Sequence, residues 1–522
     1  RMVATLAQRT LRLSPLMGLL LGVALEPAHA QTLTSAVQSQ LARWYRSASR
    51  SANGTWGIAI ANQQGDLLWS VRPNQPMIPA STVKLLTTGF ARTVLGGDAR
   101  LATRVVGEGS NDPNGEWRGS WALELNGDPS LERPTRGGPT LSDLAWQLAD
   151  RGIRKLNGPL QVTSANGPAN VVYPEAWSPH HWGRVFAPLI GPITLNENVV
   201  YLTIRPGGKL GTKARLVSTI PQGLDALVTI HAQTWKGARS RLALRRMADG
   251  GWLITGSIGI NALPRRLTSV AGNPKAVLAE TWAKALHEAG IVWDRTPESS
   301  VVPPVPTVDS FDQVPERPAD TKQQVLAEVT SAPFDSLASE INRRSLNIGA
   351  ELLLQWAAGR DDAAEQLTQH VQEVTGVQDG IRLVDGSGLS AEDRLTPATF
   401  VHYLARFPET PAGRNFAQLL PANGVGTLRP IGWGLPEPGV VHAKTGTLGG
   451  VSTLVGYLGR RDGVLLISVM YNGGRARTAK RAQWNLFRLL GADGVSIPAD
   501  TTEAQGDEDS ADDSDQMGGE GQ

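Results

Sequence analysis

Ser81 and Lys84 are the first residues whose types and spacing could do chemistry. They belong to the run Ser81-Thr82-Val83-Lys84, which follows Pro79-Ala80 at the predicted start of a helix. Residues three apart share a helix face, so the hydroxyl and the amine are neighbours. A serine becomes a nucleophile when a base removes its proton, and a lysine whose pKa is lowered by burial or a nearby cation can be that base. Alone this pattern is weak evidence for a catalytic pair, because a helix-capping serine followed by a surface lysine has the same sequence pattern.

Ser345 and Asn347 form a second pair. The Ser-x-Asn pattern also occurs at Ser51-Ala52-Asn53 and Ser164-Ala165-Asn166, so only context separates the three copies. Ser345 lies between a helical run, 334–344, and an apolar run, 348–356. From that position Ser345 could pass a proton to a leaving amine, and Asn347 could hold the substrate backbone and the lysine. An ordinary turn between helices is the alternative.

The third motif, Lys444-Thr445-Gly446-Thr447, is the most specific of the three. It is predicted to start a strand that alternates through 451–457 and pairs with 464–471. Gly446 leaves room for a substrate along the strand edge, and Lys444 with Thr445 offers a cation and a hydroxyl to a terminal carboxylate. The backbone N–H of Thr447 could complete an oxyanion hole with that of Ser81. The alternative is an edge-strand lysine that opposes aggregation.

Helices and strands that could position these motifs lie at both ends of the chain. A helix is predicted over 33–50, a hairpin over 55–61 and 67–71, a helix-rich part over 336–406, a β-hairpin over 441–471 and a last helix over 479–490. A β-rich stretch, with a helix at 274–289, separates the two ends. The sequence thus predicts an α+β (α/β) catalytic domain, formed by 31–96 and 331–498, whose sheet is flanked by helices. The region 97–300, with two nested subdomains expected, interrupts it, and 301–330 is predicted to be a Pro-rich linker.

Both termini have distinctive composition. Arg1, Arg9 and Arg12, an apolar stretch 13–25 and Ala28-His29-Ala30 are typical of a signal peptide over 1–30, so we expect a secreted, periplasmic protein. An anchor helix that is never cleaved is the alternative. Residues 499–522 carry nine acidic side chains and no basic ones, which predicts a disordered tail.

The three motifs in this order resemble the signature of serine β-lactamases and penicillin-binding proteins. The long interval from Ser81 to Ser345 is similar to that of one family, the class C (type-4) penicillin-binding proteins, which are D-Ala-D-Ala carboxypeptidases and endopeptidases of peptidase family S13. Further stretches that carry the resemblance are Asn126–Leu131, Leu195–Val199, Asp385–Ser390 and Gly424–Leu428. It extends over about 33–490 and implies a transpeptidase-like, serine β-lactamase-like catalytic domain.

The resemblance also implies roles and partners. Ser81 would be the acylated nucleophile, Lys84 its base, Ser345 and Asn347 the relay and positioning pair, and Lys444 with Thr445 the carboxylate site. Asp385 and Thr427 would support the cleft edge. Peptidoglycan stem peptides would be substrates and β-lactam antibiotics would acylate Ser81. Some family members carry an arginine where this sequence has Ala391, which leaves the preferred donor side chain open.

Other functions are less compatible with the sequence. Cysteine is absent, which excludes disulfides and thiolate metal sites. His180-His181 lacks a third spaced ligand, so we expect two surface histidines, no metal and no cofactor. We expect no nucleic-acid binding and at most peripheral membrane association. A β-lactamase or esterase and a non-catalytic β-lactam or wall sensor stay as alternatives; the first lacks a recognisable deacylating glutamate, and the second has no reason to keep both Lys84 and Lys444.

Overall fold

The central sheet is assembled from both ends of the chain. The computed structural model describes residues 31–133, 137–165, 168–296, 323–359 and 361–500. Five antiparallel strands run in the order β16-β17-β18-β1-β2. They are β1 (Thr55–Ala61), β2 (Leu67–Val71), β16 (Val441–Leu448), β17 (Val451–Arg460) and β18 (Gly463–Asn472). Nine of the ten residues of β17 are buried, as expected for a strand covered on both faces.

Helices cover both faces of this sheet. One core contains side chains of α1 (Ser35–Ser51), α9 (Ala476–Leu490) and one sheet face. The opposite core contains side chains of α2 (Val83–Leu95), α6 (Asn347–Ala358), α7 (Ala363–Thr375) and α8 (Pro397–Arg406). The helix α5 (Phe334–Arg344) packs against α2 and α6. A sheet between two helical layers agrees with the predicted α+β class. Among the described residues no helix is both long and apolar enough to span a membrane.

The part of the chain between α2 and α5 forms two further hydrophobic cores. The first is enclosed by two helices and six strands: β3 (Ala102–Asn111), β4 (Trp117–Glu124), α3 (Leu141–Asp150), β5 (Lys155–Asn157), β6 (Val162–Thr163), α4 (Pro274–Glu288), β14 (Val292–Asp294) and β15 (Gln324–Thr330). The second lies between two small sheets, β13-β7-β8 and β9/β10-β12-β11. Their strands are β7 (Val199–Arg205), β8 (Arg215–Ile220), β9 (Val228–Ile230), β10 (Gln233–Trp235), β11 (Ser240–Arg246), β12 (Trp252–Gly259) and β13 (Arg265–Val270). We call residues 199–273 the β-module.

The predicted linker, 301–330, needs a correction at its C-terminal end. Residues 324–330 form β15, which pairs with β3, so they belong to the inserted region. The side chains of Leu326 and Ala327 are buried in its core, and this burial outweighs the loop-like composition before them. The remainder of the linker up to 322, the predicted signal peptide and nearly all of the acidic tail lie outside the described residues.

The predicted β-hairpin at 441–471 is also wrong in detail, because three strands form there. Leu448 pairs with Val451 around Gly449-Gly450, and Gly450 has φ +74°, a conformation that glycine adopts without strain. The Lys-Thr-Gly motif therefore lies on its own strand, β16, at one edge of the five-stranded sheet.

Candidate active site

Ser81 lies in a single 3₁₀ turn, Ala80–Thr82, that leads directly into α2. The turn is fixed to the sheet through Pro79, whose carbonyl oxygen accepts hydrogen bonds from the hydroxyls of Thr82 (2.6 Å) and Thr453 (2.7 Å). Ala80 has φ +51°, which is unfavourable for a residue with a Cβ. Backbone held in such a conformation by its surroundings is common at functional sites, and here it presents the Ser81 hydroxyl at the start of a helix.

Lys84 is fully buried and its amine has three oxygen partners. The Nζ atom lies 2.9 Å from Ser81 Oγ, 2.6 Å from Asn347 Oδ1 and 2.6 Å from the carbonyl oxygen of Ser387. The last two oxygens can only accept, so they take two N–H bonds from the amine. In a neutral amine the remaining position is a lone pair, and it faces the Ser81 hydroxyl.

Burial lowers the pKa of Lys84 from 10.5 to about 7, because the charged form loses its hydration. The charges of Asp385, Glu351 and Asp393 act in the opposite direction and raise the pKa. The result is a lysine that is neutral in a large fraction of molecules near pH 7 and can accept the serine proton.

Ser345 and Lys444 form a second pair on the other side of the cleft. Ser345 ends α5 in a left-handed conformation, φ +57°, and its hydroxyl accepts a hydrogen bond of 2.9 Å from Lys444 Nζ. Lys444 is fully buried and also donates to the carbonyl oxygen of Thr445 at 2.7 Å. Burial, then the charges of Lys84 and Lys480, hold the pKa of Lys444 well below its usual range. Ser345 is therefore in contact with a group that can supply or take a proton.

Asn347 joins the two halves of the cleft. It is the first residue of α6, its side-chain oxygen accepts from Lys84, and its amide nitrogen donates to the carbonyl oxygen of Phe186 at 2.8 Å. Phe186 belongs to the inserted region, so this one side chain fixes the base and a wall of the cleft together.

Gly446 allows β16 to lie against the Ser81 turn. A Cβ at this position would stand 2.7 Å from the Pro79 carbonyl oxygen and 3.0 Å from the Ser81 nitrogen. On the same strand the N–H groups of Val441 and Ala443 bond to atoms outside the sheet. Because the N–H direction alternates along an antiparallel strand, that of Thr447 also points away from β17. The N–H groups of Thr447 and Ser81 thus lie at the junction where an oxyanion could be held.

The cleft between these elements has a volume of about 530 Å³. Most of the predicted site residues line it, and the inserted region and the last helix add further side chains. The lining residues are Ser81, His181, Phe186, Ser345, Asn347, Leu389, Thr427, Thr445, Thr447, Leu448, Gly449 and Lys480. Thr427 lines the cleft, and its buried hydroxyl has no hydrogen-bond partner among the described residues. His181, expected as a surface residue, packs edge-on against Phe186 in this wall.

Asp385, which was expected to support the cleft edge, does not itself line the cleft. It is buried, and its two carboxylate oxygens accept the backbone N–H groups of Gly388 (2.7 Å) and Ser390 (2.8 Å). The short Asp-Gly-Ser-Gly turn brings those N–H groups to its own carboxylate, which explains the position. Asp385 therefore supports the segment that carries the Ser387 carbonyl.

Glu351 and Asp393, which the sequence did not single out, lie beside Asp385 beneath Lys84. Glu351 accepts the N–H groups of Gly386 (3.1 Å) and Ser387 (2.9 Å), and burial, then the charge of Asp385, raises its pKa to about 8. Burial and the charge of Asp385 also raise the pKa of Asp393. Glu351 is the one charged residue in the apolar run Ile348–Leu354 of α6. Its position there was the only sequence feature that could have pointed to a buried functional group.

A buried ion cluster connects the inserted region to α5 next to Ser345. Glu197 accepts two hydrogen bonds from Arg344, at 2.5 Å and 2.9 Å, and its Oε1 lies 3.0 Å from Arg133 Nε. Asn196, Glu197 and Asn198 are three consecutive residues with φ between +46° and +59°. Held in this conformation, Glu197 is directed at the residue that precedes Ser345. Within the described residues no group of three or more histidine, aspartate or glutamate side chains could hold a metal ion.

Comparison with known proteins gives a consistent result. The D-Ala-D-Ala carboxypeptidase 3 (S13) family matches residues 38–490. A D-alanyl-D-alanine carboxypeptidase from Actinomadura sp. strain R39 is 27% identical over 445 residues, which cover 80% of this chain and 77% of that protein. The D-alanyl-D-alanine carboxypeptidase DacB of Haemophilus influenzae is 25% identical over 437 residues, covering 80% and 85%.

Solved structures share the fold. The crystal structure of penicillin binding protein 4 (dacB) from Haemophilus influenzae superposes with a TM-score of 0.64 at 20% identity, over 85% of this chain and 99% of that one. The same protein in complex with a β-lactam gives a TM-score of 0.61 at 21% identity, again over 85% and 99%.

Proposed function

The chain belongs to the D-Ala-D-Ala carboxypeptidase 3 (S13) family and is a serine-type peptidase, and we propose that it removes the terminal D-Ala of peptidoglycan stem peptides through an acyl-Ser81 intermediate. The observation that carries the proposal is the contact between Lys84 Nζ and Ser81 Oγ, 2.9 Å, in a buried site that lowers the pKa of the lysine to about 7. Nucleophile and base are then in contact before substrate arrives.

Acylation follows from this contact. Lys84 takes the proton of the Ser81 hydroxyl while Oγ attacks the carbonyl carbon between the two D-Ala residues. The N–H groups of Ser81 and Thr447 stabilise the oxyanion. Ser345, whose hydroxyl is held by Lys444, donates a proton to the departing amine as the C–N bond breaks and takes up the proton that Lys84 removed from Ser81. D-Ala leaves, and Lys84 is neutral again. Thr445 and Lys480, which both line the cleft, bind the terminal carboxylate of the substrate.

Deacylation uses the same groups, with water as the nucleophile and the Ser81 oxygen as the leaving group. A water molecule enters the position that D-Ala has left, Lys84 takes one of its protons, and the hydroxide attacks the ester carbon. Ser81 recovers its proton as the C–O bond breaks, and the trimmed peptide is released. Each base is regenerated, so no cofactor is consumed.

β-Lactam antibiotics are proposed to acylate Ser81 by the first of these steps. In the described residues no aspartate or glutamate lines the cleft. The cleft therefore lacks a carboxylate that could activate water from another side, and the amine of an opened β-lactam stays attached in the position through which water would reach Lys84. We therefore expect that adduct to be long-lived. This favours a penicillin-binding peptidase over a β-lactamase.

The periplasm is proposed as the place of action. Support comes from the basic and apolar pattern of residues 1–30 and the Ala28-His29-Ala30 run. Sequencing the N-terminus of protein recovered from the periplasmic fraction tests this, with Gln31 expected as the first residue.

A fluorescent penicillin tests the nucleophile. Wild-type protein is expected to gain one adduct per chain by intact-mass measurement, and Ser81→Ala is expected to gain none. Labelling that persists in Ser81→Ala would refute the assignment.

In parallel, D-Ala release from a monomeric pentapeptide and cleavage of a cross-linked dimer are measured with one enzyme preparation. Release from the monomer at the higher kcat/KM identifies a carboxypeptidase, and the reverse ranking identifies an endopeptidase.

A further inference from the structure

The β-module carries a charge unlike that of any other part of the chain. Its 75 residues, 199–273, contain eleven lysines and arginines but only two acidic residues, Asp225 and Asp249, for a net charge of +9. Residues 31–499 together contain 47 lysines and arginines against 38 acidic residues, which is also +9. The whole positive excess of this long stretch is therefore located in the β-module, and all eleven of its basic residues are exposed.

Three of these arginines lie on one sheet face. Directly opposite residues of an antiparallel pair point to the same side, and Arg205 is opposite Arg215. Arg266 is opposite Thr203, two residues along β7 from Arg205, so it shares that side. The opposite side of this sheet faces the module's hydrophobic core through Leu202 and Ile204.

These arginines have no acidic partner among the described residues. Arg266 lies over the ring of Tyr201, 3.7 Å from its centroid, and neither Arg205 nor Arg215 makes an ion pair. Like charges placed directly opposite each other in a sheet destabilise it. A face that exposes several like charges attracts ligands of the opposite charge, and a polyanion most strongly.

The β-module is also connected to the cleft. Arg246, the last residue of β11, touches Gly183, where a Cβ would stand 2.1 Å from its Nη2 atom. Gly183 is two residues from His181, which lines the cleft. The β-module is thus in contact with the segment that forms the His181 wall of the cleft.

We infer that the exposed face of Arg205, Arg215 and Arg266 is a docking surface for the polymeric substrate itself, a glycan-peptide polymer that displays a free carboxylate on every stem peptide. This inference rests on the proposed function, because a peptide ending in D-Ala-D-Ala has a terminal carboxylate, and a polymer with many such peptides is a polyanion. The docking surface raises the local concentration of stem peptides at the cleft without taking part in the chemistry.

Binding to insoluble peptidoglycan, measured by co-sedimentation, tests the docking surface separately from catalysis. The protein carries Ser81→Ala so that it cannot turn over substrate. Arg205→Gln, Arg215→Gln and Arg266→Gln are combined in one variant. The matched control combines Arg43→Gln, Arg46→Gln and Arg50→Gln, which removes the same charge from three exposed positions of α1.

We expect the docking-surface variant to bind at least tenfold more weakly than the control variant, with most of the difference lost between about 0.02 M and about 0.3 M salt as charges are screened. Peptidoglycan whose carboxylates have been converted to neutral amides should bind both variants equally weakly. In otherwise wild-type protein, release of D-Ala from a short soluble peptide should be unchanged by the three docking-surface substitutions, whereas release from insoluble peptidoglycan should fall.

Equal binding by the two variants, or undiminished binding to the amidated polymer, would overturn the inference. A last variant replaces the nine carboxylates of residues 500–520 by their amides. If it binds peptidoglycan at least tenfold more tightly, the chain's own acidic segment occupies the surface and the inference is also overturned. Failure of Ser81 to react with penicillin changes none of these binding outcomes, so the two proposals fail independently.

Discussion

Lys84 and Glu351 bind the two backbone groups of the same residue, Ser387. The amine of Lys84 donates to its carbonyl oxygen at 2.6 Å, and the carboxylate of Glu351 accepts its N–H at 2.9 Å. Glu351 has no contact with the cleft, yet it fixes one of the three oxygens around the base. Its position therefore determines how well the Lys84 amine is directed at Ser81.

Replacement of Glu351 tests this indirect role. Glu351→Ala leaves the N–H groups of Gly386 and Ser387 buried without a partner, so we expect the free energy of unfolding to fall by about 2–4 kcal/mol. The rate of penicillin acylation should fall by about tenfold or more as Lys84 loses its fixed position. Glu351→Gln keeps an acceptor oxygen and should restore most of the acylation rate. Chemical denaturation and stopped-flow labelling measure the two effects.

The matched control is Glu365→Ala, which removes an exposed carboxylate from α7 and should change neither quantity. Full acylation by Glu351→Ala would show that Ser387 is held by other contacts and that Glu351 is structurally dispensable.

The pH dependence of acylation follows from Lys84. Only the neutral amine can take the Ser81 proton, and burial lowers the pKa of this amine to about 7. The acylation rate should therefore rise with pH through about 7 and fall about tenfold per unit below about pH 6. Burial lowers this pKa, and the charges of Asp385, Glu351 and Asp393 raise it.

Loss of a negative charge beneath Lys84 should move the pH profile of acylation in a defined direction. Because the charge of Asp385 raises the pKa of Lys84, Asp385→Asn should move the acid limb of the profile to lower pH. A limb that moves to higher pH, or a rate that does not vary between pH 5 and pH 8, would contradict Lys84 as the base. Penicillin labelling over this range, with folding checked at each pH, provides the measurement.

The sequence predicted contacts that are local and those that the family resemblance implied, such as that of Lys84 with Asn347, and it missed the other contacts assembled at a distance. Ser81 and Lys84 could be paired because three residues on a helix are always neighbours. The sheet and helix layers followed from apolar periodicity. Glu351 could not be connected with Ser387, since a glutamate in an apolar helix has no sequence feature that names its partner 36 residues away. The ion cluster of Glu197 and Arg344 was missed for the same reason, because their contact spans 147 residues.

Gly446→Ala is expected to block acylation without removing a functional group. The added Cβ would stand 2.2 Å from Thr453 Oγ1 and 2.7 Å from the Pro79 carbonyl oxygen, both part of the contact between β16 and the Ser81 turn. A shift of about 1 Å in the oxyanion donors costs about 100-fold in rate. We expect that loss in the acylation rate constant at saturating penicillin.

Gly474→Ala is the matched control for Gly446→Ala, because a Cβ at position 474 would have no heavy atom within 4 Å. It should acylate at the wild-type rate. If Gly446→Ala does so too, the strand has room to move and the close approach of Gly446 to Ser81 is not needed for the reaction.

Glu197 is expected to stabilise the protein and to position Ser345. Its carboxylate is nearly buried between the guanidinium groups of Arg133 and Arg344. Glu197→Gln leaves the buried Arg133 and the partly buried Arg344 with Glu340 as their remaining shared carboxylate, so we expect the free energy of unfolding to fall by about 3 kcal/mol. Arg382→Gln, which breaks an exposed ion pair with Glu392, should cost less than about 1 kcal/mol.

Kinetics separate the positioning role of Glu197 from its effect on stability. Ser345 acts when the amine leaves, so a displaced Ser345 should lower kcat for D-Ala release and leave KM nearly unchanged. Arg344→Lys retains the charge but cannot form the two parallel hydrogen bonds. It should therefore lose less stability than Glu197→Gln but show a similar fall in kcat. If Arg344→Lys keeps the wild-type kcat, or if KM changes instead, the ion cluster holds the inserted region in place without positioning Ser345.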